Sequence, residues 1–330
     1  MSESISAFDS VDSAIRARYG ESASIKSSRS VSGGDINEAY TLTISTGDMC
    51  FLKRNRGRER SFFEAEAAGL AAIARTGAVS VPEVYSVGTD GGSAFLLMSF
   101  IRGGNRRNDY WEALGHELAM MHRVDTTVFF QKDELDAEYL AKKEDCARAD
   151  SDSSHKKSSS DSANLLFGFP SDNYIGATPQ VNETRSSFLE FFRDCRLRPQ
   201  FERASNYFST SERRKAEDLL EHMDRYYRDP DRPALLHGDL WSGNVITGDD
   251  GRAWLIDPAV YVGHPEADLA MTELFGRFPE RFYSAYSEVS PISPSYRERR
   301  DFYNLYHLLN HLNLFGASYL SSVRGILSLV

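Results

Sequence analysis

The chain has 330 residues, of which 41% are hydrophobic and 12% aromatic, and its formal net charge at pH 7 is −10. This length and composition provide for a substantial core and exceed what one compact core usually supports, so we expect two lobes or domains. The negative net charge argues against the broadly basic surface that binds nucleic acid or an anionic membrane, and neither is expected as a partner.

The N-terminal third of the chain is patterned mainly as β-structure. Residues 24–53 alternate in character around turn residues, which predicts three antiparallel strands. Residues 58–75 carry helix formers with an apolar side, and two short strands are predicted at 83–88 and 94–100. The predicted arrangement is an N-terminal five-stranded antiparallel sheet with one helix.

The remainder of the chain is patterned mainly as helix. Apolar residues recur at helical spacing from Trp111 to Val124, and later stretches continue this character. The further helical predictions cover residues 184–196, 211–228 and 266–320. Two short strands are predicted at 244–247 and 252–256, joined by a glycine- and aspartate-rich turn.

These elements predict an α+β, bilobal fold. We place the N-terminal lobe at residues 1–101 and the larger, mostly helical C-terminal lobe at residues 102–330. Residues 145–163 are rich in Ser, Asp and Lys and have almost no apolar side chains. Such a segment cannot offset its ordering entropy by burial, so we predict a mobile insertion there.

The cysteines and the N-terminus predict the cellular setting. Cys50, Cys146 and Cys195 are odd in number, far apart and without metal-ligand spacing, which argues against a disulfide framework or a zinc site. Residues 1–10 contain no long apolar run of the kind found in a secretory signal. We therefore expect a cytoplasmic protein.

The strongest functional signal is the run from His237 to Asn244, followed thirteen residues later by Asp257. Phosphoryl transfer needs a group that accepts the proton of the substrate hydroxyl, and Asp239 is the candidate. Asn244 and Asp257 offer hard oxygen ligands of the kind that bind Mg²⁺. A surface turn with a chance Asp-Pro pair is the alternative, but the joint spacing of all three groups is typical of kinases.

A second candidate pair is Lys53, at the end of the third predicted strand, and Glu66, thirteen residues later in the predicted helix. In kinases such a pair holds the lysine against the α- and β-phosphates of ATP. Glu66 shares the apolar stripe of the helix, whereas Glu64 lies about 160° away, so the helix phase favours Glu66. A solvated lysine and glutamate are the alternative.

Two backbone segments are candidates for contacts with ATP. The loop Gly33-Gly34-Asp35-Ile36 can bring backbone amides close to phosphate oxygens, although a plain hairpin turn has the same composition. Met98, Ser99 and Phe100 end the fifth predicted strand, where the backbone between two lobes can meet a purine edge. An ordinary buried strand end explains the same residues.

The chain resembles one family along most of its length. The runs that carry the resemblance are residues 33–37, 51–53, 66–70, 114–123, 167–180, 196–200, 237–244, 266–271 and 306–311. Asn173-Tyr174-Ile175-Gly176 and Glu266-Ala267-Asp268-Leu269-Ala270-Met271 are its most specific motifs. On these residues the chain resembles the fructosamine/ketosamine 3-kinases, relatives of the aminoglycoside phosphotransferases within the protein-kinase-like fold.

The resemblance implies ATP- and Mg²⁺-dependent phosphorylation of the C3 hydroxyl of a ketose linked to an amine, which leads to deglycation. The substrates would be glycated proteins or small ketoamines, and we expect a monomer. From location and polarity we assign the sugar pocket to Asn173, Trp241, Glu266, Asp268 and His307, with acidic groups suited to a protonated amine. Packing in the core is the alternative role for His307.

Two other functions stay open on the sequence. The first is a kinase for another small hydroxyl acceptor, such as an aminoglycoside or a choline-like amine. The second is a pseudokinase that acts as a binding module, which the presence of Lys53, Asp239, Asn244 and Asp257 argues against.

Overall fold

The structure is a computed structural model and describes residues 6–31, 36–131 and 165–330. Its first part is a six-stranded sheet with two helices. These elements are β1 (Ser6–Phe8), α1 (Val11–Tyr19), β2 (Ile25–Val31), β3 (Glu38–Ile44), β4 (Met49–Asn55), α2 (Arg60–Arg75), β5 (Val84–Asp90) and β6 (Ser93–Ser99). The predicted insertion at 145–163 lies outside the described residues.

The prediction of a five-stranded antiparallel sheet is wrong, because the sheet has six strands in the order β1-β5-β6-β4-β3-β2 and β1 runs parallel to β5. Strand β1 has only three residues, too few to show the alternation that reveals a strand. Its place depends on Gly88 of β5, where a Cβ would overlap the carbonyl oxygen of Phe8. The sheet is therefore mixed.

Helix α1 was not predicted, and it covers the outer face of the sheet. Ser10 caps its N-terminus, because the Ser10 side chain accepts a hydrogen bond from Ser13 N at 3.1 Å. Ala14 and Ile15 of α1 are buried and join a small core cluster with Leu42 and other side chains of the sheet. This face of the sheet is thereby closed to solvent.

The rest of the described chain is mostly helical. Its helices are α3 (Tyr110–His122), α4 (Phe188–Phe192), α5 (Arg198–Arg203), α6 (Thr210–Glu221), α7 (Glu266–Leu274), α8 (Glu280–Val289), α9 (Tyr296–Phe315) and α10 (Leu320–Leu327). Its strands are β7 (Asn173–Ile175), β8 (Thr178–Gln180), β9 (Ala234–Leu236), β10 (Val245–Thr247), β11 (Ala253–Leu255) and β12 (Tyr261–Gly263). They form three two-stranded ladders, β7 with β8, β9 with β12 and β10 with β11. Among the described residues, no helix is long and apolar enough to cross a membrane.

One large core cluster joins the sheet and α2 to the later helices. It contains Phe63 and Leu70 of α2 together with Leu118, Leu236 and Leu309 from the later elements. Because this cluster continues across residue 101, packing alone does not divide the chain there. The lobe boundary at 101 stays a prediction.

Helices α3 and α8 approach each other closely at Gly115. A Cβ at this position would overlap the carbonyl oxygen of Phe282 and would lie 3.2 Å from the Ala285 side chain. The absence of a side chain therefore sets the distance between the two helices. The same contact positions His122, at the end of α3, beneath the catalytic loop that is described below.

We predict that Gly115→Ala lowers the free energy of unfolding by about 1–3 kcal/mol, because the methyl group forces the α3 and α8 backbones apart. Gly325→Ala in α10 is the matched control, since a Cβ there meets no atom within 4 Å. The control should leave stability unchanged or raise it by up to about 1 kcal/mol through helix propensity. Equal unfolding midpoints for the two variants in urea denaturation would contradict the close approach.

Candidate active site

Lys53 joins three separate segments of the chain. It lies on β4, is buried, and its Nζ donates hydrogen bonds to Glu66 Oε1 and to Asp257 Oδ1, each at 2.5 Å. Glu64, two residues before Glu66 on the same helix, instead pairs in solvent with Arg60 at 2.7 Å. The structure therefore places Glu66, and not Glu64, against the lysine.

The charges around Lys53 keep it protonated. Burial alone would lower the pKa of Lys53, but the neighbouring carboxylates of Asp257 and Glu66 raise it above its usual value. A charged ammonium thus stands at the junction of β4, α2 and the segment after β11. Such a fixed cation is a suitable partner for phosphate oxygens.

Asp239 lies on the loop between β9 and β10, and His237 stabilises that loop from inside. The His237 ring is fully buried, its Nε2–H donates to the carbonyl of Ile256 at 3.0 Å, and its Nδ1 accepts from Asp239 N at 3.3 Å. Burial lowers the pKa of His237, so the ring is neutral and holds one tautomer. The loop is thereby tied to the segment that leads to Asp257.

Asp268 anchors the same loop from below. Its carboxylate accepts hydrogen bonds from His237 N at 2.7 Å and from Gly238 N at 2.9 Å, and it contacts His122 Nε2 at 3.2 Å. The other ring nitrogen of His122 bonds to the Tyr286 hydroxyl at 2.8 Å. Although burial opposes it, these hydrogen bonds and the histidines keep the pKa of Asp268 below its usual value.

Gly238 lets the loop lie directly on the segment after Asp257. Its φ of 80° is in the region that favours glycine, and a Cβ would overlap the carbonyl oxygen of Ala259. Any side chain here would push the Asp239 backbone away from the segment that carries Asp257. The glycine of the catalytic run is therefore a steric requirement.

Asn244 and Asp257 present the oxygen atoms expected of a magnesium site. Asn244 Nδ2 donates to the backbone oxygen of Asp239 at 2.8 Å and to Asp239 Oδ2 at 3.0 Å, which leaves the Asn244 amide oxygen for another partner. Asp257 has a φ of 56°, and its side chain is 47% exposed. Two hard oxygen donors, one of them on a half-exposed side chain, fit Mg²⁺, which takes its remaining ligands from phosphate oxygens and water.

The Asp239 side chain is partly accessible to solvent, with 21% of it exposed. Desolvation raises the pKa of Asp239 to about 7, the carboxylates of Asp257 and Asp268 add to this, and the Asn244 hydrogen bond opposes it. A carboxyl group whose pKa lies near neutrality is well matched to accept a proton.

His307 of α9 faces Asp239. The distance from His307 Nδ1 to Asp239 Oδ1 is 3.9 Å, which is too long for a hydrogen bond, and among the described residues Nδ1 has no hydrogen-bond partner. Burial lowers the pKa of His307 to about 3, so the ring is neutral. A hydroxyl placed between the two side chains would find a partner on each side.

Three residues that we assigned to the sugar pocket lie in buried networks instead. Asn173 Nδ2 donates to the carbonyl of Val260 at 2.7 Å, and Asn173 Oδ1 accepts from Gln180 Nε2 at 2.8 Å. Glu266 forms a buried two-point ion pair with Arg299, at 2.5 and 2.7 Å. Asp268, described above, is the third: it lies against the loop that carries Asp239, but both of its oxygens bond to backbone N–H groups. The other two are Trp241, two residues after Asp239, and His307, whose Nδ1 lies 3.9 Å from Asp239 Oδ1.

Sequence reasoning missed several supporting groups. His122, Gln180 and Arg299 each complete a buried hydrogen-bond network around the catalytic loop or around the segment after Asp257. The sequence offered one indication of these roles, namely that each is a polar residue within an otherwise apolar helix or strand. Their partners lie far away in the sequence, so the pairing was not visible.

The predicted nucleotide segments are placed as follows. Met98 is buried, and Ser99 N donates a hydrogen bond to Glu83 O at 2.8 Å. Ser99 and Phe100 line a cavity of about 550 Å³, and Lys53 is not part of its wall. Ile36 O accepts a hydrogen bond from Asn55 Nδ2 at 2.9 Å, which ties the end of the glycine loop to β4. Gly33, Gly34 and Asp35 lie outside the described residues.

We predict that Asp268→Asn lowers the free energy of unfolding by about 3 kcal/mol, because one amide oxygen cannot replace a carboxylate that serves two backbone N–H groups and a histidine. Asp301→Asn is the matched control, since Asp301 forms a half-exposed pair with Arg300 and should cost less than about 1 kcal/mol. Urea denaturation at pH 7 measures both variants. A loss at Asp268 no larger than that at Asp301 would refute the anchoring role.

Comparisons with known proteins show which family has this sequence and this arrangement of residues. A family model described as fructosamine kinase matches residues 7–135 and 135–330. A protein-ribulosamine 3-kinase, chloroplastic, of Oryza sativa subsp. indica is 37% identical over 311 residues, which cover 93% of this chain and 80% of the rice protein.

Two solved structures define the fold. A putative fructosamine-3-kinase from Haemophilus somnus is 25% identical with a TM-score of 0.76, and the match covers 97% of this chain and 96% of that one. A macrolide 2′-phosphotransferase from Brachybacterium faecium is similar in fold alone, with a TM-score of 0.55 at 16% identity over 96% of this chain and 98% of that one. These matches confirm the kinase-like α+β fold and the family resemblance that we predicted from the motifs. The chain belongs to the fructosamine kinase family.

Proposed function

We propose that this protein is an ATP-dependent ketosamine 3-kinase. It transfers the γ-phosphoryl group of ATP to the C3 hydroxyl of a ketose linked to an amine, either on a lysine of a glycated protein or on a small ketoamine. The observation that carries the proposal is that two bonded pairs, Lys53 with Asp257 and Asn244 with Asp239, lie side by side in a chain of this family. The backbone N–H of Ile256, next to Asp257, joins them by donating to the Asn244 carbonyl at 3.0 Å. These four side chains are the donor and acceptor set that phosphoryl transfer requires.

Asp239 acts on the acceptor hydroxyl. As the bond between the C3 oxygen and the γ-phosphorus forms and the bond from that phosphorus to the β–γ bridging oxygen breaks, the hydroxyl proton passes to the Asp239 carboxylate. Asn244 holds this carboxylate through the 3.0 Å hydrogen bond to Oδ2. His307, neutral and 3.9 Å from Oδ1, limits the orientations that the acceptor can take.

Lys53 acts on the donor. Its ammonium, held by Glu66 and Asp257, would bind the α- and β-phosphates of ATP. Asn244 and Asp257 would hold Mg²⁺, which when bound neutralises charge on the phosphate oxygens. We assign the backbone of the glycine loop, residues 33–36, to the phosphates and residues 98–100 to the adenine edge.

The product of this transfer explains a repair function. A phosphate group at C3 is a far better leaving group than a hydroxyl. Loss of a proton from C1 therefore expels inorganic phosphate from C3, and water hydrolyses the resulting imine to the unmodified amine and a dicarbonyl sugar. The enzyme would therefore initiate deglycation. Cytoplasmic location and a monomeric state remain predictions, and the name of the rice relative assigns that protein to the chloroplast.

The direct test is ADP release with ribuloselysine, fructoselysine and an aminoglycoside measured in parallel. We expect turnover with a ketoamine and none with the aminoglycoside, because the acceptor is a ketose hydroxyl. Turnover with the aminoglycoside alone would favour a kinase for another small acceptor. ATP binding in a thermal-shift assay without turnover of any acceptor would favour a pseudokinase.

Asp239→Asn should lower kcat at least about a hundredfold, because an amide cannot accept the hydroxyl proton. ATP should still raise the melting temperature of this variant, since Asp239 is assigned to the acceptor. Asp301→Asn, at a half-exposed aspartate that pairs with Arg300, is the control and should retain full activity. Wild-type kcat in the Asp239 variant would exclude Asp239 as the base.

Glu66→Gln should lower kcat/KM for ATP at least about tenfold, because the buried Lys53 ammonium loses one of its two charged partners. Glu64→Gln is the matched control on the same helix, since its partner Arg60 is exposed. It should leave kcat/KM for ATP unchanged. Equal effects of the two substitutions would show that the Lys53–Glu66 pair does not position the nucleotide.

A further inference from the structure

The amine of a ketoamine substrate is a secondary ammonium at neutral pH, and the carboxylates that we first assigned to it are occupied. Both oxygens of Glu266 bond to Arg299, and the side chains of this pair are less than a tenth exposed. Both oxygens of Asp268 bond to the backbone of the catalytic loop. The ammonium therefore needs a different partner near Asp239.

A cluster of aromatic rings lies at this position. We call Trp241, Phe275, His311, Phe315 and Tyr319 the aromatic cluster. Phe275 is its centre, with ring centroids 6.0 Å from Trp241, 4.7 Å from His311 and 6.4 Å from Tyr319. Phe315 completes it at 5.4 Å from His311.

The aromatic cluster adjoins Asp239 on two sides. Trp241 follows Asp239 by two residues, and Gly243 leaves room for the Trp241 ring, because a Cβ there would overlap the ring atoms. His311 lies one helical turn after His307, and His311 Nδ1–H donates to the His307 carbonyl at 2.8 Å. His307 in turn faces Asp239. A substrate whose hydroxyl meets Asp239 would thus extend towards these rings.

The aromatic cluster is partly open to solvent, and Tyr319 is its member that packs against the large core cluster. Neither of the two core clusters formed by the described residues includes Trp241, Phe275 or Phe315. Phe315 is 49% exposed and is the only aromatic residue among the exposed large hydrophobic side chains of the described chain. Exposed rings beside a catalytic group need an explanation that core packing does not supply.

We propose that the aromatic cluster binds the amine-bearing part of the ketoamine substrate, with the secondary ammonium held over ring faces by cation–π attraction. This inference rests on the proposed function and names the group that distinguishes a ketoamine from a plain sugar. The aromatic faces attract the cation without a counter-charge and also contact the apolar stem of a lysine or alkylamine. His311 does not oppose the cation, because burial lowers the pKa of His311 and keeps its ring neutral.

The proposal predicts a specific dependence on charge. A ring that contacts an ammonium contributes enough to change affinity roughly two- to thirtyfold. Loss of one ring should therefore raise KM for an amine-linked ketose. The KM for the thioether analogue, in which a neutral sulfur replaces the amine that links the ketose to its substituent, should stay nearly unchanged. Because the rings do not touch the reacting atoms, kcat and KM for ATP should stay close to their wild-type values.

The experiment measures KM for fructoselysine and for its thioether analogue in the wild type, in Phe275→Leu and in Phe315→Leu. Where the analogue is not phosphorylated, its competitive inhibition constant replaces KM. Phe315 is exposed, so Phe315→Leu should fold normally and provides the test if Phe275→Leu is unfolded. Tyr85→Leu is the control. Tyr85 meets Tyr19 edge to face and lies under the Arg18 guanidinium, away from the aromatic cluster, so its loss should change neither constant.

The outcomes separate this proposal from the proposed function. A rise in KM for fructoselysine that the thioether does not share supports cation–π recognition. An equal rise for both compounds, or no rise in either Phe variant, overturns it while wild-type turnover still stands. Absence of ketoamine turnover in the wild type would instead refute the proposed function itself.

Discussion

The candidate site depends on the placement of one buried ammonium group, that of Lys53. This cation contacts Glu66 of α2 and Asp257 after β11, and so it holds together three segments that are far apart in the chain. Removing Lys53 would leave the largely buried Glu66 carboxylate without its cation, which is costly in a medium of low dielectric constant. The sheet, α2 and the β10–β11 hairpin are thereby kept in the relative positions that a kinase cleft requires.

A second layer of buried polar contacts holds the catalytic loop. Asp268 receives two backbone N–H groups of the loop and is itself oriented by His122, while Asn244 fixes the Asp239 carboxylate. Fully satisfied networks of this kind are rigid, because every alternative arrangement leaves a buried polar group unpaired. The Asp239 carboxylate is therefore held in place by the fold itself, which in the proposed reaction would reduce the entropic cost of reaching the reactive geometry.

The residues proposed to bind the phosphoryl acceptor differ in character from those proposed to bind ATP. Lys53, Asn244 and Asp257 provide charge and hard oxygen atoms for phosphates and a cation, whereas Trp241 and Phe275 provide ring faces. This division matches the two substrates in the proposed reaction. ATP needs neutralisation of negative charge, and a ketoamine needs an environment that accepts both a cation and an apolar stem.

The sequence by itself predicted the family and the kinase-like α+β fold, because motif spacing reflects local strand, turn and helix geometry. It also singled out Lys53, Glu66, Asp239, Asn244 and Asp257 as candidate site residues, and their roles in the reaction stay predictions. It missed β1, whose pairing with β5 depends on a distant glycine, and it assigned Asn173, Glu266 and Asp268 to substrate because they are polar residues near the right motifs. Only the tertiary structure showed that their hydrogen bonds end on Val260, Arg299 and the catalytic loop. Residue type reveals which groups can form hydrogen bonds, but the partner of a buried group is decided by contacts between segments that are remote in the chain.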